Sequence, residues 1–353
     1  MTTPLEISSV FAPGHETVLR VEDAATGLTG FIAVHSTALG PAAGGLRMRP
    51  YASTDAAIED VLRLSRGMTY KNAAAGLPLG GGKAVIMGDP AEIKSPELLR
   101  AFARAINTLD GKYWTAEDMG MTPADMTILA EETRFVAGLP DGKFASGDPS
   151  PITARGIFQS IRTTARHRFG SADLTGRTVA VQGLGHVGAH LCRMLHEAGA
   201  KLIVADLDTA RVAQAVAEFG AQPADATGIL REKADILAPC AIGGILNEST
   251  IDGLQVAAIC GGANNQLATD EDGKLLHARG ILYAPDFVVN AGGIINVATE
   301  ILEIGARDAF VDEKLAALDT TLDRILTRAA QRGCSPNDVA TEIVDEILAP
   351  KAA

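Results

Sequence analysis

Apolar and polar residues alternate through Thr17–Glu22 and again through Thr29–His35, with the turn-prone stretch Ala24–Gly27 between them. That pattern predicts a pair of strands. From Asp55 to Met68 the residues Ile58, Val61, Leu62, Ser65 and Met68 recur at helical spacing, and Asp55 is the candidate N-cap. Ser95-Pro96-Glu97 opens a second helix with a capping Ser, an early Pro and an early acid. Thr122-Pro123-Ala124-Asp125 reads as a capping box with Asp in place of Glu and opens a third.

The pattern changes after Phe144–Pro151, FASGDPSP, which reads as a connection between domains. Beyond it, short apolar runs at 178–182, 202–205, 235–238, 256–259 and 281–284 are separated by helical stretches. Continuous apolar strands of this kind are buried on both faces, as in a doubly wound parallel sheet. After Ile294 two or three helices finish the chain. The expected fold class is α/β, with an N-terminal α+β domain followed by a Rossmann-like domain.

The 353 residues are 47% hydrophobic and 21% charged, and their length suggests two cores. Aromatics are only 4%, so those cores rest on Ala, Val, Leu and Ile. A formal net charge of −12 argues against general nucleic-acid binding, which needs a basic face. The start, MTTPLEISSVFAPGHE, lacks the basic and apolar regions of a signal peptide. The most apolar stretch, Ile281–Leu302, is broken by Pro285, Asp286, Asn290, glycines and Asn296, so no transmembrane helix is expected. Four scattered cysteines without a C-x-x-C pair suit free thiols in a reducing cytoplasm. His186, His190 and His196 cluster without zinc-ligand spacing, so no metal is expected.

Gly183-Leu184-Gly185-His186-Val187-Gly188 follows the strand at 178–182 and opens a helix, and the next strand ends at Asp206. This is the context the G-x-G-x-x-G fingerprint requires. Its glycines admit a pyrophosphate at the helix N-terminus, and Asp206 is placed to accept from ribose hydroxyls. The carboxylate would repel a 2′-phosphate, favouring NAD over NADP, although Arg211 is close in sequence. The alternative is a tight strand-to-helix turn without a ligand.

Two lysines stand out, Lys71 in RGMTYK and Lys83 at the end of Gly76–Lys83, GLPLGGGK. A phosphate-binding P-loop would need Gly where Leu77 stands and Ser or Thr where Ala84 stands. Two ammonium groups held close and partly desolvated disfavour each other's charge. That arrangement makes a lysine a usable base near neutral pH. Asp118, in Trp114-Thr-Ala-Glu-Asp118, could orient an amine and shuttle a proton, or could simply be an acid at a helix start. Taken singly, each lysine reads as a solvated surface charge, so the argument rests on the combination.

Together, GGLRMRPY (Gly44–Tyr51), RGMTYKNAAAGLPLGGGKAVI (Arg66–Ile86), WTAEDMG, GDPSPIT, VQGLGHVG, APCAIGG, CGGANNQ and YAPDFVVNAGGIINV resemble the glutamate, leucine, phenylalanine and valine dehydrogenase superfamily. The likeness runs from about Val18 to Glu346 and is nearest to the branched-chain and aromatic members. It implies a substrate domain over 1–147, with C-terminal helices from about 325 to 353 packing back on it, and an NAD-binding domain over 148–324. It further implies an active site in the cleft between them, and reversible NAD-dependent oxidative deamination of an L-amino acid to a 2-oxo acid and ammonia.

The resemblance assigns Lys71 to the substrate carboxylate with help from Asn290, Lys83 to the base, and Asp118 to the proton transfers. Gly44 and Gly45 would line the site with backbone. Thr153, Cys240 and Asn264 would lie on the dinucleotide. Ala43, Ala116, Ile294 and Val297 would form the side-chain pocket. Leucine-type members carry a leucine where Ala43 stands in GPAAGG, whereas phenylalanine-type members often share GPAAGG; TAED is the leucine-type form. The widened pocket is expected to accept several bulky apolar amino acids, Leu and Phe among them. The ending IVDEILAPKAA, without the extra tail of octameric members, points to a homo-oligomer that is a dimer sooner than an octamer. Three rivals stand beside this reading. A 2-hydroxy acid dehydrogenase usually uses a His base and an Arg clamp, and a glutamate-specific relative needs a cation in its pocket. A catalytically inactive NAD-binding regulator needs no tuned lysine.

Overall fold

The computed structural model describes residues 5–349. Residues 1–4, part of the stretch read for a signal peptide, and residues 350–353, part of the ending read for oligomer size, lie outside the described residues. The chain divides into two compact units: residues up to Pro149 with Ile294–Asp312, and Ser150–Gly293 with the chain from Glu313 onward.

In the first unit the elements are β1 (Glu6–Ser9), β2 (Thr17–Asp23), β3 (Leu28–Ser36), β4 (Ala42–Ala43), β5 (Leu46–Arg49), α1 (Thr54–Ala74), β6 (Gly80–Met87), α2 (Pro90–Ile93), α3 (Pro96–Asn107), β7 (Tyr113–Trp114) and α4 (Pro123–Ala130). The sheet order is β1-β2-β3-β6-β4-β7, with β5 also paired to β6. The β1-β2-β3-β6 pairs are antiparallel, while β4 and β5 run parallel to β6. Alternation sorts the faces. Phe31, Ala33 and Val85 point towards Ala57 and Val61 of α1. Ile32, Val34, Ala84 and Ile86 pack with Leu98, Phe102 and Ile106 of α3.

Helix starts follow their side-chain acceptors. Ser95 caps α3 by accepting from Leu98 N at 3.2 Å, and Thr122 with Asp125 forms a complete capping box on α4. The N-cap of α1 is Ser53, accepting from Ala56 N at 3.1 Å, in place of the expected Asp55. Asp55 instead sits in the first turn, where its charge meets the positive helix end. The glycine run 80–82 also finds its reason here. A Cβ on Gly81 would lie 2.0 Å from the Thr69 backbone nitrogen, so the glycine lets α1 cross β6 at backbone distance.

A histidine pair supports that crossing. His35 Nδ1 lies 2.8 Å from Thr69 Oγ1, and its ring stands edge-on to His15 at 4.9 Å. Burial, then the charges of His15 and Arg66, push His35 down to about 4. An unfolded histidine titrates near 6.5. Between those values the unfolded chain binds the extra proton, so stability falls as pH drops from 6.5 towards 4. We expect the stability advantage of wild type over His35→Gln to shrink between pH 7.5 and pH 4.5 in urea melts. An advantage that does not change with pH would contradict the buried neutral ring.

The second unit carries α5 (Ser150–Phe169), β8 (Thr178–Gln182), α6 (His186–Glu197), β9 (Lys201–Ala205), α7 (Thr209–Phe219), β10 (Gln222–Pro223), β11 (Ile236–Pro239), α8 (Glu248–Ile251), β12 (Ala258–Ile259), α9 (Asp270–Ala278), β13 (Leu282–Tyr283) and α10 (Asp286–Val289). Its six strands are all parallel in the order β10-β9-β8-β11-β12-β13, a Rossmann-like sheet. Three helices end the chain: α11 (Gly292–Ile301), α12 (Arg307–Arg332) and α13 (Pro336–Leu348). The expectation that the last helices pack back on the first unit is corrected. Buried Val339, Ala340, Ile343 and Val344 seat α13 on α9 and β13, and Asp319 of α12 accepts from Thr163 of α5 at 2.5 Å. Residues 294–312 return to the first unit instead. Among the described residues no helix is long and apolar enough to cross a membrane.

Candidate active site

Two neighbouring strands and the segment after β7 bring the central charges onto one face of the first sheet. Leu46 pairs with Ala84 of β6 on one side and bridges to Glu117 on the other. Lys83, Arg47 and Asp118 each lie one residue away from that row, so all three side chains project to the side that α1 covers. Lys83 Nζ contacts Asp118 Oδ2 directly. Asp118 Oδ1 accepts the Met119 N–H at 2.5 Å and faces Arg47 Nη2 at 3.6 Å. Lys83 is 5% exposed. Burial works to raise the Asp118 carboxyl, but the Lys83 and Arg47 cations outweigh it and hold the group at about 2.

Arg47 is itself fixed from α1. Its Nη1 lies 3.1 Å from Asp60 Oδ2, and the Tyr51 hydroxyl donates to the same oxygen at 2.8 Å. Burial works against the guanidinium's charge, yet Asp118 and Asp60 hold its proton more firmly than usual. Sequence reasoning missed Arg47, Asp60 and Tyr51. The available signal was an arginine alternating with apolar Leu46 and Met48 on a strand, two residues after Gly45. The charge in contact with Lys83 is a carboxylate, and a guanidinium faces that carboxylate's other oxygen.

Around these charges the expected glycines and alanines are tightly placed. Gly44 donates to Trp114 O at 3.2 Å and its carbonyl accepts the Tyr113 hydroxyl at 2.7 Å. A Cβ on Gly45 would sit 2.9 Å from the Asp118 Cβ, so the missing side chain leaves room for that carboxylate. Ala43 lies between Gly81 and Trp114, and Ala116 O accepts from Leu46 N at 2.8 Å. Lys71, half-buried near the end of α1, precedes Asn72, whose Nδ2 donates to Gly80 O at 2.6 Å. Ile294 and Val297, both nearly buried, lie three residues apart on one side of α11. That helix is anchored by Glu300, whose Oε2 accepts from Gly138 N at 2.7 Å, Ser146 N at 3.0 Å and Ser146 Oγ at 2.8 Å. Glu300 was not anticipated from sequence.

The second unit gathers the glycine motif. Gly183 has φ +93°, and a Cβ on Gly188 would lie 2.0 Å from Gly183 O, so neither position tolerates a side chain. Gly185 is the N-cap of α6 and offers no side-chain acceptor, leaving the N–H groups that open the helix at His186 and Val187 without a side-chain cap. Asp206 Oδ2 accepts from Leu184 N at 2.6 Å and Oδ1 from Asp208 N at 2.8 Å. These bonds and Arg211 outweigh burial and depress its pKa, so the carboxylate stays charged. Arg211 pairs with Asp208 at 3.3 Å. Cys240 N donates to Gln182 O at 2.7 Å, and burial pushes its thiol up to about 11. A Cβ on Gly292 would lie 2.9 Å from the Cα of Thr153. Asn290 Nδ2 donates to Asn264 Oδ1 at 2.8 Å and Gly262 O at 3.2 Å, while its buried Oδ1 has no partner. So placed, Asn290 offers an acceptor, not the donor a carboxylate requires. Among the described residues no group of three His, Cys, Asp or Glu side chains could hold a metal ion.

Comparison with known proteins agrees across both units. A family model described as Glu/Leu/Phe/Val dehydrogenase, dimerisation domain, matches residues 15–135. A second, Glutamate/Leucine/Phenylalanine/Valine dehydrogenase, matches residues 146–210 and 204–343. The chain is 48% identical over 332 residues to a leucine dehydrogenase of Geobacillus stearothermophilus, covering 94% of this chain and 90% of that protein. It is 45% identical over 337 residues to a phenylalanine dehydrogenase of Thermoactinomyces intermedius, covering 95% and 90%. The crystal structure of L-tryptophan dehydrogenase from Nostoc punctiforme superposes with a TM-score of 0.80 at 41% identity, covering 95% of this chain and 96% of that one.

Proposed function

Because the chain belongs to the glutamate/leucine/phenylalanine/valine dehydrogenase family and is an amino acid dehydrogenase acting on CH–NH2 donors, we propose that it carries out NAD-dependent, reversible oxidative deamination of bulky apolar L-amino acids. The observation that carries the chemistry is the buried Lys83–Asp118 pair. Lys83 as the free amine takes a proton from the substrate ammonium. NAD, when bound, supplies the acceptor for the hydride that leaves Cα. Lys83 gives that first proton up to solvent, then takes a proton from the water that adds to the resulting iminium and passes it to the nitrogen. As the carbinolamine collapses Lys83 takes the hydroxyl proton, and ammonia and the 2-oxo acid are released. Asp118 orients the Lys83 ammonium through its Oδ2 and shares its proton. Lys71 holds the substrate carboxylate, and Asn290 accepts a hydrogen bond at its unpartnered Oδ1.

The residues of the second unit fit a dinucleotide. The close Gly183–Gly188 turn and the uncapped start of α6 suit a pyrophosphate, and the charged Asp206 suits ribose hydroxyls and disfavours a 2′-phosphate. Thr153, Cys240 and Asn264 are assigned to the same ligand. The description of the first matched domain as a dimerisation domain supports assembly of at least two copies.

The side-chain pocket is assigned to Ala43, Ala116, Ile294 and Val297, all apolar and nearly buried. A pocket of this kind separates neighbouring side chains by only about 1–3 kcal/mol per methylene. The test is a panel of L-Leu, L-Val, L-Ile, L-Phe, L-Trp and L-Glu with NAD and with NADP, read by reduced-cofactor absorbance. Turnover of several apolar substrates with NAD is expected, with L-Glu and NADP poor. One substrate preferred about ten-thousandfold, beyond what such a pocket supplies, would refute the breadth.

A further inference from the structure

We propose that Arg47, aimed by Asp60 and Tyr51, is a positioning residue that keeps Asp118 fixed and ionised while Lys83 gains and loses its proton. This rests on Lys83 being the proton carrier. The geometry divides Asp118 between two cations: Oδ2 meets Lys83, while Oδ1 meets the Met119 N–H and faces Arg47 Nη2 at 3.6 Å. One of these cations must change charge during the reaction, and the other cannot, because a guanidinium stays protonated throughout the working range.

Were Lys83 the sole counter-charge, each deprotonation of Lys83 would leave a carboxylate with 18% of its side chain exposed and no compensating cation. Burial would then favour the acid form, and Asp118 would keep the proton that Lys83 should pass on. Arg47 removes that trap. It is 11% exposed, and its fork is held from the far side. Nη1 engages Asp60 Oδ2 at 3.1 Å, the Tyr51 hydroxyl fixes that oxygen at 2.8 Å, and Arg49 stacks 4.7 Å from the Tyr51 ring centre. The second arm, Nη2, is thereby left pointing at Asp118. The charged groups acting on Asp118 are Lys83 from β6 and Arg47 from β5, with the buried Tyr113 phenol of β7 beside them. Those acting on Arg47 are Asp60 of α1, Asp118 and Tyr51.

The experiment is the pH dependence of kcat and of substrate KM for wild type, Arg47→Gln, Arg47→Lys and Asp60→Asn. Removing a positive charge beside a coupled pair favours protonation of the pair as a whole. Arg47→Gln is therefore expected to move the acid limb of the kcat profile to higher pH. It is also expected to lower kcat by about 10²-fold, with a much smaller change in KM. Arg47→Lys should hold the acid limb near its wild-type position, and Asp60→Asn, which keeps the guanidinium but frees its orientation, should lower kcat without raising the limb. An Arg47→Gln enzyme with wild-type kcat and profile overturns the proposal. So does a loss of kcat with the limb unmoved and Arg47→Lys no better than Arg47→Gln, which would mark a merely structural residue. Failure of the underlying reading looks different, because Lys83→Met would then keep its turnover whatever the Arg47 variants do.

Discussion

Replacing Lys83 by Met is expected to lower kcat by about 10²–10⁴-fold, the range for losing a positioned proton-transfer group, while leaving dinucleotide binding intact. Met is the informative choice because Lys83 is 5% exposed, so its carbon stem is packed as well as its charge. Ala would remove that packing and confuse a chemical loss with a structural one. With Lys83 gone, Asp118 still has Arg47 at 3.6 Å and the Met119 N–H, so the carboxylate is not stranded. Fluorescence titration with NAD should give an unchanged affinity, since the glycine turn and Asp206 belong to the second unit. A variant keeping more than about a tenth of wild-type kcat would remove Lys83 from the proton-transfer role.

The largest loss of stability is expected from Glu300→Ala. One carboxylate oxygen accepts two well-placed backbone N–H groups and the Ser146 hydroxyl, with Leu139 N further off at 3.3 Å, and the residue is 8% exposed. Deleting it leaves several donors in the 138–146 segment without an acceptor, where each buried orphan costs about 1–3 kcal/mol. These costs do not add fully, because the loop can relax, and a total of about 3–5 kcal/mol is expected. Arg307 does not compensate: its Nη2 donates to Ser146 O at 2.6 Å and to Asn296 Oδ1 at 2.6 Å, a donor where an acceptor is missing. The chain's single tryptophan, Trp114, lies on β7, so its fluorescence reports the first unit in a urea titration. Glu300→Gln, which retains an oxygen, should lose markedly less. A midpoint for Glu300→Ala within experimental scatter of wild type would mean that the segment is held by other contacts.

Local chemistry was the legible part of this fold. Ser95, the Thr122–Asp125 box and the apolar runs of the parallel sheet are read from neighbours a few residues apart, and the structure forms each where expected. Six strands escaped: β1, EISS, is a mostly exposed edge strand with little apolar signal, β10 is two exposed residues, β4 and β7 are two residues each, β5 is four, and β6 opens on three glycines. The destination of the final helices escaped for a different reason. An apolar stripe on α13 announces burial but not against what, and only the folded chain supplies α9 and β13. The site divides in the same way. Lys83 and Asp118 were candidates because of their unusual surroundings in sequence. Arg47 was not, because its meaning comes from Asp60 on the helix above and Asp118 on the segment after β7, neither adjacent in the chain.

The return of residues 294–312 to the first unit has a consequence for synthesis. A ribosome delivers the strands β1 to β7 early, yet the acceptor for Gly138 N is Glu300, 162 positions further along. Every strand of the second sheet emerges before that carboxylate does. The nascent first domain must therefore wait, nearly built but with the 138–146 segment unanchored, until the neighbouring sheet has been translated. Both units are finished by late segments, the first by residues 294–312 and the second by the chain from Glu313 onward, so neither is complete when its sheet is, and a truncated chain ending before α11 would lack the group that finishes the domain it begins with.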